Sequence, residues 1–347
     1  MFQQRLILYT LSVLFLCAPA SGADPALNLQ IEKTRTLKKL DKSEVLSVCI
    51  LANGSIAISD WDLTKSPPDS RLELYGTDGK LIRAVGAMGS GPGKYASLGQ
   101  LTVDEKDVIW AADTGQRRLS RYGADGALIG SDLIMSPSFS PSFILLKPEM
   151  GKKYLAGCVA KDNNAQKGCS GLVHEYDLIG GKYIRSFLST ENDRQWIDRS
   201  YRRMQQTFMD AETAKTLYVS SFVARGFWMV DIPSGNSKFV PIPMLPELPD
   251  MGEVADARKA WETLQTPSHI FQINGYVYLG VRTPGAQGPA TQIMKFDSTG
   301  KFLAKTLKTP GILAGKTKEG RLIFTQRSPQ GVSVIITKPT VPGMRTK

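Results

Sequence analysis

Short apolar runs recur along this chain, and each ends in a cluster of glycine, aspartate, asparagine or proline. The first set of runs lies at residues 45–52, 55–59, 71–75 and 80–85, with the turn sequences Asn53-Gly54 and Thr77-Asp78-Gly79 between them. Runs this short that are bounded by turn formers predict β-strands joined by tight turns rather than helices. The pattern therefore predicts an all-β protein.

The four-strand pattern repeats along the chain. A second copy has its strands at residues 99–103, 108–112, 118–122 and 127–129, and the turn Ala124-Asp125-Gly126 falls where the first copy has its second turn. Four weaker copies have second strands that read KKYLAGC, TLYVSSF, YVYLGV and GRLIFTQ. Repeated four-stranded units are typical of a β-propeller. Six copies predict a six-bladed β-propeller with four-stranded antiparallel blades.

The two ends of the chain complete each other in this scheme. The sixth copy ends after its third strand, whereas residues 27–36 form a predicted strand that belongs to no copy. We expect this N-terminal strand to become the outer strand of the last blade and to close the ring. A closed ring protects the sheet edges that would otherwise pair with other chains.

The segment from residue 89 to residue 130 resembles an NHL repeat. The matching residues are Gly89 to Tyr95, Val103-Asp104, Ile109 to Gly115 followed by Gln116 to Leu119, and Asp125-Gly126. The other five copies keep the turn residues and lack the rest of the motif. The resemblance implies a propeller of the NHL-repeat-like (TolB-like) group, and a fold by itself implies no function.

Residues 1–23 have the composition of a secretory signal peptide. Arg5 is followed by the apolar residues 6–16, and the small residues at 18–20 or 21–23 suit a cleavage site. The apolar run is too short to span a bilayer. Cys17 would suit a lipoprotein, but Leu16 stands where a lipobox has a small residue. We expect a secreted or periplasmic protein with its propeller at residues 24–340 and a basic C-terminal tail at 341–347.

Cysteine use fits an oxidising compartment but does not decide the pairing. Cys158 and Cys169 flank a short polar loop and either form a local disulfide or remain free. Cys49 lies in an apolar strand, where a buried, inert thiol is expected.

The chain is basic, with 43 Lys and Arg against 32 Asp and Glu and a formal net charge of +11, of which the predicted signal peptide carries one. Such a charge suits an anionic partner. An exported protein rarely meets nucleic acid, so we expect a protein, a peptide or an anionic polymer such as an acidic glycan, and a monomer. Diffuse charge that aids solubility explains the excess equally well.

Loop lengths single out one face of the predicted propeller. The turns after first and third strands are tight, whereas long insertions at residues 189–206 and 241–268 follow fourth strands. Both insertions have helical patterns, with Trp196 in one and Trp261 in the other. These tryptophans either pack the two short helices onto the blades or form a rim over the central opening. Binding residues concentrate on loops held by a rigid scaffold.

Charged residues stand at matching places after the six second strands. They are Asp60, Asp113, Lys161, Arg225, Arg282 and Arg327. If these side chains point inward, the four cations would attract an anionic ligand, and arginine would add bidentate recognition of carboxylate or phosphate. The alternative is that exposed loops are simply rich in charge.

Signs of catalysis are few. His174 alternates with the residues of a predicted third strand and His269 precedes a predicted strand at residues 270–273, so both are expected to be structural. The chain has no HExxH, GxSxG or Cys-x-x-Cys motif. We therefore expect no catalytic residue, metal or cofactor, and favour a non-catalytic binding or scaffold protein. The alternative is a calcium-dependent lactonase or hydrolase of the gluconolactonase type, with Asp60 and Asp113 as oxygen ligands.

Overall fold

A computed structural model describes residues 26–39, 44–62, 69–86, 88–91, 93–134, 137, 139, 141–160, 169–189, 207–246, 264–284 and 290–340. These residues form 24 β-strands and one short 3-10 helix, Pro148–Met150. Most of the two predicted helical insertions at 189–206 and 241–268, including Trp196 and Trp261, lies outside the described residues.

The strands follow one another in chain order. The first is β1 (Ala26–Leu37), followed by β2 (Glu44–Ile50), β3 (Ile56–Asp62), β4 (Asp69–Tyr75), β5 (Leu81–Val85), β6 (Leu98–Val103), β7 (Ile109–Asp113), β8 (Arg118–Tyr122) and β9 (Leu128–Leu133). The middle of the chain forms β10 (Phe143–Lys147), β11 (Lys152–Ala160), β12 (Cys169–Asp177), β13 (Tyr183–Phe187), β14 (Thr207–Asp210), β15 (Thr216–Ser221), β16 (Gly226–Asp231) and β17 (Ser237–Pro241). The last third forms β18 (Thr266–Ile273), β19 (Tyr276–Thr283), β20 (Ala290–Phe296), β21 (Phe302–Thr306), β22 (Ile312–Lys316), β23 (Leu322–Ser328) and β24 (Gly331–Thr340).

Groups of four strands form antiparallel sheets, as the repeats predict. Four such sheets contain β2–β5, β6–β9, β10–β13 and β14–β17. The remaining strands form one eight-stranded sheet in the order β18-β19-β20-β21-β1-β24-β23-β22. Strand pairing joins its two halves only where Ala26 and Leu27 pair in parallel with Lys305 and Thr306. The arrangement is therefore a propeller of six four-stranded blades, which confirms the predicted fold class.

The N-terminal strand closes the last blade. β1 pairs antiparallel with β24, from Asn28 opposite Thr340 to Leu37 opposite Val332. A Cβ added at Gly79, in the outer turn of the first blade, would lie 2.1 Å from the Thr36 carbonyl oxygen near the end of β1. The outer turns of other blades also pack against the fourth strand of the preceding blade. Gly126 packs on Val85, and Gly300 packs on Val240. β1 thus occupies the place of a fourth strand.

Apolar contacts between neighbouring blades form the core. Every residue of β7 is buried, because both faces of an inner strand are covered. Between the fourth and fifth blades, the rings of Phe227 and Phe296 lie 5.1 Å apart in an edge-to-face contact. Fourth strands such as β5 are mostly exposed. The rigid part of the molecule is therefore the ring of inner strands around the axis.

The propeller has two different faces, which we name by their connections. The turn face is the side on which first and third strands end, and the loop face is the side on which second and fourth strands end. On the turn face, the Asp78, Asp125 and Asp297 carboxylates accept backbone hydrogen bonds from residues two positions later, at 2.9–3.0 Å. The following glycines have φ between 75° and 89°. The recurrent Asp and Gly residues are thus explained by turn geometry.

Candidate functional site

The first strands of all six blades line a central cavity of about 160 Å³. Its lining includes one side chain from each blade, namely Cys49, Gln100, Phe143, Asp210, His269 and Lys316. The cavity lies towards the turn face, because it extends to Thr317 and Lys318 in the turn after β22. Convergence of six first strands explains why residues far apart in sequence meet here.

An ion pair crosses the cavity between the fourth and sixth blades. The Lys316 ammonium donates to the Asp210 carboxylate, which is nearly fully buried. The same carboxylate accepts a 2.7 Å hydrogen bond from the Gln272 backbone N–H, and Lys316 also donates to the Gln272 carbonyl at 3.2 Å. These contacts neutralise the two charges and join three blades. No local signal in the sequence relates residues 210 and 316.

His269 and Cys49 line the same cavity in uncharged forms. Burial lowers the pKa of His269 to about 3 and raises the pKa of Cys49 to about 12. Cys49 Sγ donates to the Leu101 carbonyl at 3.4 Å, in keeping with the expected inert thiol. The expectation that His269 precedes a strand is wrong, because β18 begins at Thr266 and includes it.

Asp60 lies in a buried ionic cluster rather than at the cavity. Its side chain has no exposed surface, and its Oδ2 lies 2.5 Å from the Lys39 ammonium. That ammonium also donates to Glu73 Oε2 at 2.8 Å, and Arg71 approaches both carboxylates at 3.9 Å. Tyr75 donates its hydroxyl to Glu73 at 2.7 Å. The cluster fastens the end of β1 to the first blade.

Asp113 stabilises a loop of the second blade. Its Oδ1 accepts backbone hydrogen bonds from Ser97, Gly115 and Gln116 at 3.0–3.1 Å. Its Oδ2 accepts the Ala96 N–H at 3.0 Å and the Gln116 side-chain amide at 2.8 Å. The carboxylate is thus fully used within its own blade.

The three predicted arginines lie on the loop face in different surroundings. Arg327 is exposed, whereas Arg282 is largely buried and lies 3.9 Å from the Glu44 carboxylate. Arg225 donates to the Leu245 carbonyl. Neither they nor Asp60 and Asp113 line the central cavity. Lys161, and the side chains of Cys158 and Cys169, lie outside the described residues, so the disulfide stays a prediction.

Two further properties concern only the part of the chain that the structure describes. It contains no cluster of three or more His, Cys, Asp or Glu side chains that could hold a metal ion. It also contains no helix long and apolar enough to cross a bilayer.

Known proteins resemble this chain in fold. The model of the DUF5128 family, described as a 6-bladed beta-propeller, matches residues 63–139. No curated protein matches the sequence. Among solved structures, a DUF4221-family member from Bacteroides vulgatus aligns with a TM-score of 0.59 and 12% identity, over 92% of this chain and 99% of that one.

Two other solved structures are similar to a comparable extent. A Bacteroides fragilis protein that is provisionally named as exported aligns with a TM-score of 0.57 and 15% identity, over 92% of this chain and 96% of its own. A gluconolactonase from Xanthomonas campestris has a TM-score of 0.55 and 14% identity, over 93% and 99%. At these identities the likeness concerns the fold alone. Together with the family match, it identifies the architecture as that of the six-bladed propellers.

Proposed function

We propose that this chain is an exported, non-catalytic binding or scaffold propeller of the NHL-like group, and that its loop face holds a protein, a peptide or an anionic glycan. The signal-peptide pattern of residues 1–23 supports export, and a similar fold occurs in the B. fragilis protein assigned as exported. The central support is the set of arginines that stand on the loop face at or just beyond the ends of second strands.

Negative charge is fixed on the turn face by local hydrogen bonds. Ser234 donates to Asp231 and thereby lowers the pKa of that carboxyl, and Thr299 does the same for Asp297. Hydrogen bonds from Lys80 lower the pKa of Asp78. These carboxyls stay ionised at neutral pH. Turn geometry therefore holds these carboxylates on the turn face.

The loop face carries arginines at repeated places. Arg225, Arg282 and Arg327 stand at or just beyond the ends of second strands on this side. Arg118 begins a third strand here and donates to the carbonyl of Gly91 at 3.0 Å. Asp60 and Asp113 add little opposing field, because both are buried with their own donors. Cations on one face sum to a potential that attracts an anionic partner.

A comparison of two double variants tests this proposal. Arg282→Gln with Arg327→Gln removes two cations from the loop face, whereas Lys182→Gln with Lys301→Gln removes two exposed cations from outer turns of the turn face. We expect the loop-face variant to elute from a sulfated-polysaccharide column at clearly lower salt than the turn-face variant, because local potential rather than net charge governs binding. Circular dichroism confirms the fold of each.

Equal shifts for the two double variants would show that diffuse charge explains retention, and would contradict a site on the loop face. Unchanged retention in both would remove the anionic ligand altogether. Arg225 is left out of the variants because it donates to the Leu245 carbonyl, so its replacement would alter the loop itself.

The calcium-dependent hydrolase is not favoured by this geometry. That alternative used Asp60 and Asp113 as ligands, yet one is paired with the Lys39 ammonium and the other accepts five hydrogen bonds. A calcium ion would have to displace these donors. The likeness to a gluconolactonase does not alter this, because it extends to the fold alone.

A further inference from the structure

Two cations from neighbouring blades converge on the ring of Trp110 near the turn face. The Arg121 guanidinium lies 5.4 Å from the centre of this ring, and the Lys153 ammonium lies 5.5 Å from it. Trp110 and Arg121 are paired across β7 and β8 of the second blade, whereas Lys153 belongs to β11 of the third. The Trp110 indole N–H donates to the Asp104 carboxylate at 3.2 Å, which fixes the ring.

Lys153 has less compensation than the other buried lysines. Lys39 lies within 2.8 Å of two carboxylates, and Lys147 lies 3.1 Å from one. Lys295 has the ring of a tyrosine at 3.6 Å. Lys153 is 4% exposed and, within the described part of the chain, has neither an ion pair nor a hydrogen bond. It is therefore a desolvated cation without a counter-ion among these residues, which is unfavourable.

The carboxylates near Lys153 are occupied elsewhere. Burial lowers the pKa of Lys153, with Asp132 opposing this shift and Arg121 adding to it. Asp132 lies 3.3 Å from the Arg121 guanidinium, and its side chain is 52% exposed, so this pair contributes little stability. Asp104 accepts two backbone hydrogen bonds at 2.9 Å within its own turn, besides that from the indole. Two cations thus share one ring, and neither carboxylate pairs with Lys153.

Glycines border both cations and leave them open to the surface. Gly130 lies opposite Arg121 in β9, and a Cβ there would lie 2.8 Å from the guanidinium. A Cβ on the exposed Gly181 would lie 3.8 Å from the Lys153 ammonium. The Arg121 side chain is 33% exposed. The Lys153 ammonium lacks a hydrogen bond among the described residues, yet it is not one of the fully enclosed nitrogens, so it retains contact with solvent.

We propose that Arg121 and Lys153 together bind a phosphate group at the turn face, between the second and third blades. A phosphate monoester carries about 1.5 to 2 negative charges at pH 7 and has three strong acceptor oxygens, which suits two converging cations. Arginine supplies two parallel N–H donors, and lysine supplies a point charge. The exposed Asp132 opposes the ligand and gives up its contact with Arg121 on binding. This site is separate from the loop face and does not depend on the function proposed for that face.

Titration calorimetry with inorganic phosphate, at constant ionic strength, tests this site in the mature protein. We expect saturable binding that is at least about tenfold weaker in Lys153→Gln, because a charge-assisted hydrogen bond is lost. Asp132→Asn should bind phosphate about threefold more tightly, because the competing carboxylate is gone. The control Lys301→Gln, which removes an exposed cation from the fifth blade, should bind like the parent.

Three results would overturn the proposal. They are an absence of saturable binding by the parent, equal affinities of the parent and Lys153→Gln, and an Asp132→Asn variant that binds no more tightly than the parent. Because Asp132 is half exposed, its variant tests the site even if Lys153→Gln does not fold, which circular dichroism checks. Arg282→Gln with Arg327→Gln should leave phosphate affinity unchanged, so failure of the loop-face proposal is a separate result.

A second measurement identifies the source of the phosphate. Ile179 is 99% exposed and stands two residues before Gly181, so the site suits a lipid headgroup as well as a soluble phosphate compound. Vesicles that contain phosphatidic acid are sedimented with the parent and with Lys153→Gln, and neutral phosphatidylcholine vesicles serve as the control. Binding that Lys153→Gln abolishes indicates the lipid headgroup. Phosphate binding without vesicle binding that depends on Lys153 indicates the soluble compound.

Discussion

The most demanding prediction concerns Lys39, whose ammonium joins the end of β1 to the first blade. The side chain is 2% exposed, and Nζ lies 2.5 Å from Asp60 and 2.8 Å from Glu73. The variant Lys39→Met keeps most of the aliphatic stem and removes the charge. Two buried carboxylates then remain, each with a nitrogen of the Arg71 guanidinium at 3.9 Å.

The expected loss of stability follows from that geometry. Removal of one partner from a buried ion pair costs about 3–5 kcal/mol, because the remaining charge has been desolvated without compensation. Here one ammonium serves two carboxylates, so we expect a loss in the upper part of that range. With an unfolding entropy of about 2.1 cal/mol/K per residue, a loss of about 4–5 kcal/mol corresponds to a fall in Tm of roughly 6–7 °C for a chain of this size.

Urea unfolding followed by far-ultraviolet circular dichroism measures this loss. The control is Lys38→Met, the adjacent exposed lysine, which should change stability by less than about 0.5 kcal/mol. Adding Asp60→Asn and Glu73→Gln to Lys39→Met should recover part of the loss, because the unpaired charges are then gone. A Lys39→Met protein as stable as the Lys38→Met control would refute the reasoning, as would a triple variant less stable than the single one.

Three other predictions follow from the described residues. Burial lowers the pKa of His174 to about 4 and that of His269 to about 3, so the unfolded chain binds their protons first as pH falls below about 6.5. Each histidine should therefore lower the free energy of unfolding by about 1.4 kcal/mol per pH unit down to its pKa in the folded protein. Urea unfolding at pH 6.5 and 4.5 should show a smaller loss of stability for His269→Phe than for the parent protein. Gly79→Ala should lower Tm much more than Gly151→Ala: both glycines have positive φ, but only the first would place Cβ against backbone, and equal Tm losses would contradict this. Asp113→Asn should lower the free energy of unfolding by about 1–3 kcal/mol, because the new amide group would face N–H donors. Saturating calcium should leave the Tm of the parent protein unchanged, and a stoichiometric rise in Tm with calcium would restore the hydrolase alternative.

The strands were predictable because their signals are local. The N-terminal strand expected at residues 27–36 is Ala26–Leu37, and the third strand expected at 118–122 is Arg118–Tyr122. Turn chemistry acts over four residues and side-chain alternation over two, so a single sequence contains both. The missed start of β18 shows the limit, since its first residues include Pro267 and alternate poorly.

The partners of charged residues were not predictable in the same way. Asp60 and Asp113 have matching places, each opposite an arginine at the start or near the start of the third strand. Even so, Asp60 pairs with Lys39, which follows β1, whereas Asp113 accepts hydrogen bonds from a loop of its own blade. Equivalent positions in two repeats share backbone geometry, but what lies next to them depends on the neighbouring blade.

The sequence by itself determined the number of four-strand repeats, the order of the strands and the turns of one face, because each of these follows from contacts between residues near one another in the chain. It also indicated the strand that closes the ring, since residues 27–36 belong to no repeat, although that strand pairs with β24 at the other end of the chain. Only the tertiary structure decided that Asp210 meets Lys316, that Lys39 fastens the closure, and that His269 lines the central cavity. Those contacts exist only after six separate blades have met around one axis. Their partners are therefore set by the closure of the ring rather than by spacing along the chain.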